Sequence, residues 1–244
     1  MDIVAFVPTS PLPDWVERAA SAGSAPRPPA PPAFGDASGG AAAELMACSM
    51  LRRYKAGQAI LVEGEMAEYV GVVVSGVLKV TRTFGSDRQQ IVSLLFSGSF
   101  FGRAYEAVSH FSVEAASDVE VRCIRRHDFE AVLERHPDFQ QYMLSIALDE
   151  LEAARDWMVL LGCQETLERV ACFFALLLQR GEGQSQNTVT FPIGRRDIAG
   201  YLGTTVETLS RHVQLLSRQG VIQILDGKSF RILDYDRLQS LSGA

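Results

Sequence analysis

Read for its apolar and polar positions, the chain changes period twice. From about residue 51 to residue 127, short apolar runs are punctuated by glycine. The runs 59–62, 69–74, 77–80, 91–95 and 119–124 are rich in Val, Ile and Leu and read as β-strands. Ser75-Gly76 and Gly85-Ser86-Asp87 fall between such runs and predict hairpin turns. Short strands at even spacing predict a small β-roll or barrel. The period then lengthens. Residues 138–161 contain neither Pro nor Gly, and Leu144, Ala147, Leu151, Ala154, Met158 and Leu161 recur at alternating spacings of three and four. This predicts one long helix with a heptad seam, flanked by Glu150, Glu152 and Arg155. The seam predicts a parallel homodimer; packing of the same face within its own domain is the alternative.

The last third carries the most informative pattern. Ile198, Ala199 and Leu202 give a first short helix its apolar face, Gly203 permits a sharp turn, and Thr204 or Thr205 can cap the next helix. In that second helix Val206 and Leu209 point inward, while Glu207, Ser210 and Arg211 share the opposite face. A recognition helix presents such a face to base edges in the major groove. Residues 221–225 and 228–233 are two apolar runs around Asp226-Gly227, a hairpin signal. Helix, turn, helix and hairpin together predict a winged helix-turn-helix that binds double-stranded DNA. Arg195, Arg196, Thr205, Lys228 and Arg231 are its candidate phosphate contacts.

Composition changes the picture in three places. The net charge of −6 is unusual for a nucleic-acid binder, but from residue 165 onward nine Lys/Arg face eight Asp/Glu, so the acidity lies in the N-terminal part. Residues 21–40 are dominated by Ala, Pro, Gly and Ser, which predicts a disordered tail. No apolar run is long enough for a membrane span, the N-terminus lacks a signal-peptide pattern, and Cys48, Cys123, Cys163 and Cys172 form no zinc spacing. The expectation is a cytoplasmic protein with free thiols and no membrane partner. Its expected division is a disordered tail over 1–44, a β-roll over 45–136, a dimerisation helix over 137–164 and a DNA-binding domain over 165–244. The fold class is α+β. No group is placed to orient a base beside Cys163 or Ser109/His110, and no glycine-rich phosphate loop occurs, so an enzyme is not expected.

A roll, a long dimer helix and a winged helix-turn-helix in this order resemble the CRP/FNR superfamily of bacterial transcription regulators, over roughly residues 51–241. Val206-Glu207-Thr208-Leu209-Ser210-Arg211 is similar to the E-x-x-S-R signature of its FNR/FixK branch, and Lys79 and Gly98-Ser99-Phe100-Phe101-Gly102 also fit. The resemblance implies that the roll is a jelly roll of the cyclic-nucleotide-binding type. It also implies that Glu207, Ser210 and Arg211 read a TTGAT-like inverted repeat. The loop Gly85, Ser86, Asp87 resembles the activating loop that touches RNA polymerase; the same residues serve equally as an ordinary hairpin turn.

Within that resemblance the sensing chemistry departs from the family. Arg103 follows Gly102 where a cyclic-nucleotide site has a glutamate, and the phosphate arginine is missing, so cyclic-AMP control is not expected. An iron–sulfur cluster requires four thiolates, and only Cys48 and Cys123 fall near the right region. No cofactor is therefore expected, and the expected state is a dimer competent for DNA without a ligand. Two alternatives stay open. A small ligand such as haem would sit on His110, His127 or His136, and oxidation at Cys163 and Cys172 would act beside the junction of dimer helix and DNA domain.

Overall fold

The computed structural model describes residues 40–84, 88–163, 165–179 and 187–242. The first element is helix α1, Gly40–Cys48, whose Ala41 and Leu45 are buried. The tail expected to extend to residue 44 is therefore folded from residue 40 onward, because an alanine run of high helix propensity finds an apolar surface to cover. The remainder of that tail lies outside the described residues.

Eight strands follow: β1 (Ser49–Tyr54), β2 (Ala59–Leu61), β3 (Tyr69–Ser75), β4 (Leu78–Phe84), β5 (Arg88–Leu95), β6 (Phe100–Phe101), β7 (Ser112–Ala115) and β8 (Val119–Arg125). They form two four-stranded antiparallel sheets, ordered β1-β8-β3-β6 and β2-β7-β4-β5. Val73, Phe101, Val121 and Cys123 of one sheet and Leu61, Leu78, Val113 and Ala115 of the other are buried together between them. The β-roll is thus present as a two-sheet jelly roll.

One turn differs from its expected form. Ser75-Gly76 closes no hairpin, since β3 pairs with β6 and β8 while β4 pairs with β5 and β7. The chain crosses from one sheet to the other here. Gly76 makes the corner at φ +81°, where an added Cβ would come within 2.3 Å of the Asp118 carbonyl oxygen. The second expected turn does join a hairpin, β4 to β5, with Phe84 opposite Arg88. Gly85, Ser86 and Asp87 themselves lie outside the described residues.

Helix α2 (Arg126–Arg135) and the start of the long helix α3 (Pro137–Cys163) cover the outer face of the first sheet. Phe129, Val132, Leu133 and Phe139 pack there with Leu45, Val70, Val72 and Ile124. This explains why β3 is apolar without alternation: both of its faces are covered.

The C-terminal part comprises α4 (Thr166–Gln179), β9 (Thr188–Thr190), α5 (Arg195–Tyr201), α6 (Val206–Arg218), β10 (Ile222–Ile224), β11 (Ser229–Ile232) and α7 (Tyr235–Leu241). Phe173, Phe174, Phe191, Ile198, Leu209, Val213 and Phe230 are buried at its centre, with Phe174 edge-on to Phe230 at 5.2 Å. Val77, Ile91, Leu94 and Phe96 of the roll join the same apolar cluster, so roll and DNA-binding domain share a packed boundary. Trp157 of α3 stacks flat on Tyr201 of α5 at 4.1 Å and 7°. Lys79 of β4 reaches Glu114 at 3.1 Å and Asp197 of α5 at 3.2 Å. Burial works against this ammonium, but its two carboxylate partners outweigh burial and hold its pKa above the usual lysine value.

Candidate nucleic-acid interface

The interface begins with a local backbone decision. Helix α5 ends at Tyr201; Gly203 turns at φ +62°, and the Thr204 N–H closes onto the Ala199 carbonyl at 2.9 Å. Arg169 of α4 donates to the Leu202 carbonyl at 3.0 Å, satisfying an acceptor at the helix end. The cap of α6 falls to Thr205, whose hydroxyl accepts the Thr208 N–H at 3.2 Å.

From that start, α6 divides cleanly into two faces. Leu209, Val213 and Leu216 are buried, with Val206 half-buried beside them. Glu207 and Arg211 are exposed and Ser210 is half-buried between them, so the three expected base-reading residues share one side. The exposed stripe continues through Gln214 and Arg218. Sequence reasoning passed over both, although their spacing from Ser210 and Arg211 was the available signal. The Glu207 backbone N–H, the Thr205 hydroxyl and the charge of Arg211 hold the Glu207 carboxyl below the usual glutamate range. It is an anionic acceptor at neutral pH, as an amino group on a base edge requires. Arg211 donates to the Thr208 hydroxyl at 3.2 Å. His212 is half-buried, and loss of water followed by the adjacent Arg211 charge pushes its pKa down.

Beside α6 stands the wing, a three-stranded sheet ordered β10-β11-β9. The third strand, β9, was not anticipated; it is three residues long, with only Val189 buried. The Asp226-Gly227 turn also differs from the two-residue form its sequence suggests. Gly227 is not at positive φ; instead the Asp226 carboxylate accepts the N–H groups of Lys228 at 2.7 Å and Ser229 at 2.8 Å. Those bonds lower the Asp226 pKa. Lys228 and Arg231 are exposed, as is Arg196 at the start of α5, and none of the three forms a salt bridge among the described residues. Arg195 is half-buried and bonded on both sides within the protein.

Elsewhere the expected site residues separate. On α3, Leu144, Leu151 and Met158 expose 60%, 44% and 63% of their surface, Leu148 another 53%, and Ala147 and Ala154 are exposed. Leu161 is half-buried near Gly203. Cys172 donates to the Ser242 carbonyl at 3.2 Å; the side chain of Cys163 lies outside the described residues. Burial pushes the Cys123 thiol up, which fits a small core residue better than a ligand. His110, His127 and His136 contact Glu106, Asp128 and Glu44 respectively. Among the described residues, no group of three His, Cys, Asp or Glu side chains gathers as a metal site would need. Arg103 pairs on the surface with Glu106 at 2.9 Å. Tyr105, at φ +61°, gives its N–H to the Glu130 carboxylate at 2.6 Å, and Arg126 holds that carboxylate at 3.0 Å. No helix among the described residues is long and apolar enough to cross a membrane.

Jelly roll, long helix and winged helix-turn-helix define a two-domain DNA-binding regulator. Comparison with known proteins narrows the class. A family model described as the cyclic nucleotide-binding domain matches residues 51–136, and one described as the Crp-like helix-turn-helix domain matches residues 168–241. The transcriptional activator protein FnrL of Cereibacter sphaeroides is 36% identical over 198 residues, covering 79% of this chain and 80% of that protein. The nitrogen fixation regulation protein FixK of Bradyrhizobium diazoefficiens is 33% identical, covering 83% and 87%. The structure of FixK2 from Bradyrhizobium japonicum superposes with a TM-score of 0.75 at 30% identity, over 80% of this chain and 98% of that one. The chain belongs to the CRP/FNR family, on its FixK/FNR branch, and is a DNA-binding transcription regulator.

Proposed function

We propose that this protein is a transcription activator of the FixK/FNR type that acts in the cytoplasm as a homodimer. In this reading it binds a TTGAT-like inverted repeat and requires neither cyclic nucleotide nor an iron–sulfur cluster. The observation that carries the base-reading role is the exposed stripe Glu207, Ser210 and Arg211, on a helix whose opposite face is buried. Arg211 has the donor fork for guanine, and ionised Glu207 the acceptor for a cytosine amino group. Arg196, Thr205, Lys228 and Arg231 are the proposed phosphate contacts flanking them. The exposed seam of α3 supports the dimer, which would bring two recognition helices to two half-sites. Independence from a cyclic nucleotide is supported by Glu130. Its carboxylate, already held by Arg126, ties down the backbone N–H of Tyr105, in the segment that follows Gly102 and Arg103. The segment that joins β4 to β5, Gly85, Ser86 and Asp87, is the proposed surface for RNA polymerase. This role assigns no catalysis to the chain.

The test is affinity at fixed salt for a TTGAT–ATCAA duplex against a scrambled one, using protein purified without added effector. A preference of about a thousandfold is expected. Arg211→Ala should abolish discrimination at the guanine, at about 1–3 kcal/mol. Weak binding that ignores sequence, or an Arg211→Ala variant with unchanged selectivity, overturns the reading.

A further inference from the structure

The sequence groups Arg195 with the phosphate contacts, but the structure gives its guanidinium two acceptors inside the protein. Nη1 donates to the Ser210 hydroxyl on α6 at 3.3 Å, and Nη2 donates to the Gly227 carbonyl in the wing turn at 3.2 Å. The two acceptors are far apart in the chain and belong to the two elements that would straddle a DNA backbone. Arg196, its neighbour, is exposed and free of any salt bridge among the described residues. The adjacent arginines are thus differently employed: Arg196 faces solvent, whereas Arg195 spans a gap between protein elements.

We propose that Arg195 is a positioning residue for base selectivity, joining the wing turn to the recognition helix and biasing the Ser210 hydroxyl toward donation; this rests on the DNA-binding reading above. The chemistry follows from what each group can do. A guanidinium carries its donors in a rigid planar fork, so one side chain can bridge two acceptors set apart; an ammonium on a flexible stem cannot hold that geometry. A hydroxyl has one proton and two lone pairs. With a cation donating to one lone pair, the Ser210 proton is turned away from Arg195 and stays available to an acceptor in the groove. Ser210 then favours a base edge that accepts: guanine O6 or N7, adenine N7 or thymine O4. Without Arg195 the hydroxyl can turn to accept as well as donate, and the wing turn loses its charge-assisted tie to α6.

The decisive variant is Arg195→Lys, because it keeps the charge and removes the fork. Operator affinity is measured across a salt series, on duplexes varied at the base pair facing Ser210. The same is done for Ser210→Ala and for the double variant, after circular dichroism has shown each to be folded. Arg195→Lys should lose about tenfold in discrimination at that base pair and keep the wild-type salt slope. In the Ser210→Ala background the same change should have no further effect on discrimination there, since coupled residues are not additive. A phosphate contact predicts otherwise: lysine restores wild-type discrimination, Arg195→Ala lowers the salt slope by about one, and the effects of Arg195 and Ser210 add. That result overturns the positioning role while leaving the DNA-binding reading intact. Wild-type protein without operator preference overturns both.

Discussion

On α6 the apolar positions Leu209, Val213 and Leu216 are all but sealed from solvent, whereas on α3 the positions Leu144, Leu148, Leu151 and Met158 stand open to it. Both helices carry an apolar stripe opposite polar residues, and the pattern alone does not separate them. The difference lies in what the chain folds against each. Helices α4 and α5 and the wing close over the α6 stripe and merge it into one aromatic-rich core. Helix α3 is held at its ends, by Phe139 against the roll and by Trp157 on Tyr201, while its middle has no cover among the described residues. A contiguous exposed apolar face of this kind marks an interaction site. An apolar stripe therefore announces that a face is to be buried, and only the fold says whether the chain itself buries it.

The comparison is broken most directly at the seam. Leu144→Glu combined with Leu151→Glu places like charges across the proposed dimer. It should give a monomer by analytical ultracentrifugation and lower operator affinity by about 10²–10⁴-fold, because the second half-site is no longer engaged by a linked partner. Its thermal unfolding midpoint should match that of the wild-type chain diluted to monomer. A dimer of undiminished affinity would mean that the seam lies elsewhere.

Leu209→Ala makes the opposite test. It removes a buried side chain from the core of the DNA-binding domain and should cost about 2–5 kcal/mol in denaturant unfolding, with the dimer retained. If Leu151→Ala were equally costly in the monomer, the two helices would not differ as described.

The smallest effect concerns the wing. The Asp226 carboxylate is bonded to two backbone N–H groups, so its folded pKa lies below its unfolded value. Its contribution is complete above the unfolded aspartate pKa and is lost as pH falls through the folded one. Amide chemical shifts of Lys228 and Ser229 should titrate together in that acidic window, and Asp226→Asn should remove the transition. Shifts that ignore pH in the native protein would contradict the turn described above.

What was legible in the sequence was local. Gly203, the Thr205 cap, the inward Leu209 and the outward Glu207, Ser210 and Arg211 are separated by a few residues, and short-range sterics and hydrogen bonding govern them. The long helix was legible for the same reason, its run of residues lacking Pro and Gly matching α3 closely. The strands outside the predicted runs are short or weakly patterned: β6 has two residues, β9 has three, β7 alternates over only four, and β1, six residues long, holds no Val or Ile. The Ser75-Gly76 corner was misread because a glycine turn looks alike whether it returns a strand to its neighbour or carries it to another sheet.

By itself, then, the sequence determined the helix-turn-helix, the outward face of its second helix and the heptad face of α3, all properties of neighbours along the chain. Tertiary structure alone decided the pairing of β3 with β8 instead of β4, the reach of Lys79 across to Asp197 and the bridge from Arg195 to both Ser210 and Gly227. Each of these joins groups far apart in sequence. Their partners are chosen by which faces must leave water and which buried polar atoms must then be satisfied, and that balance exists only once the whole chain has packed.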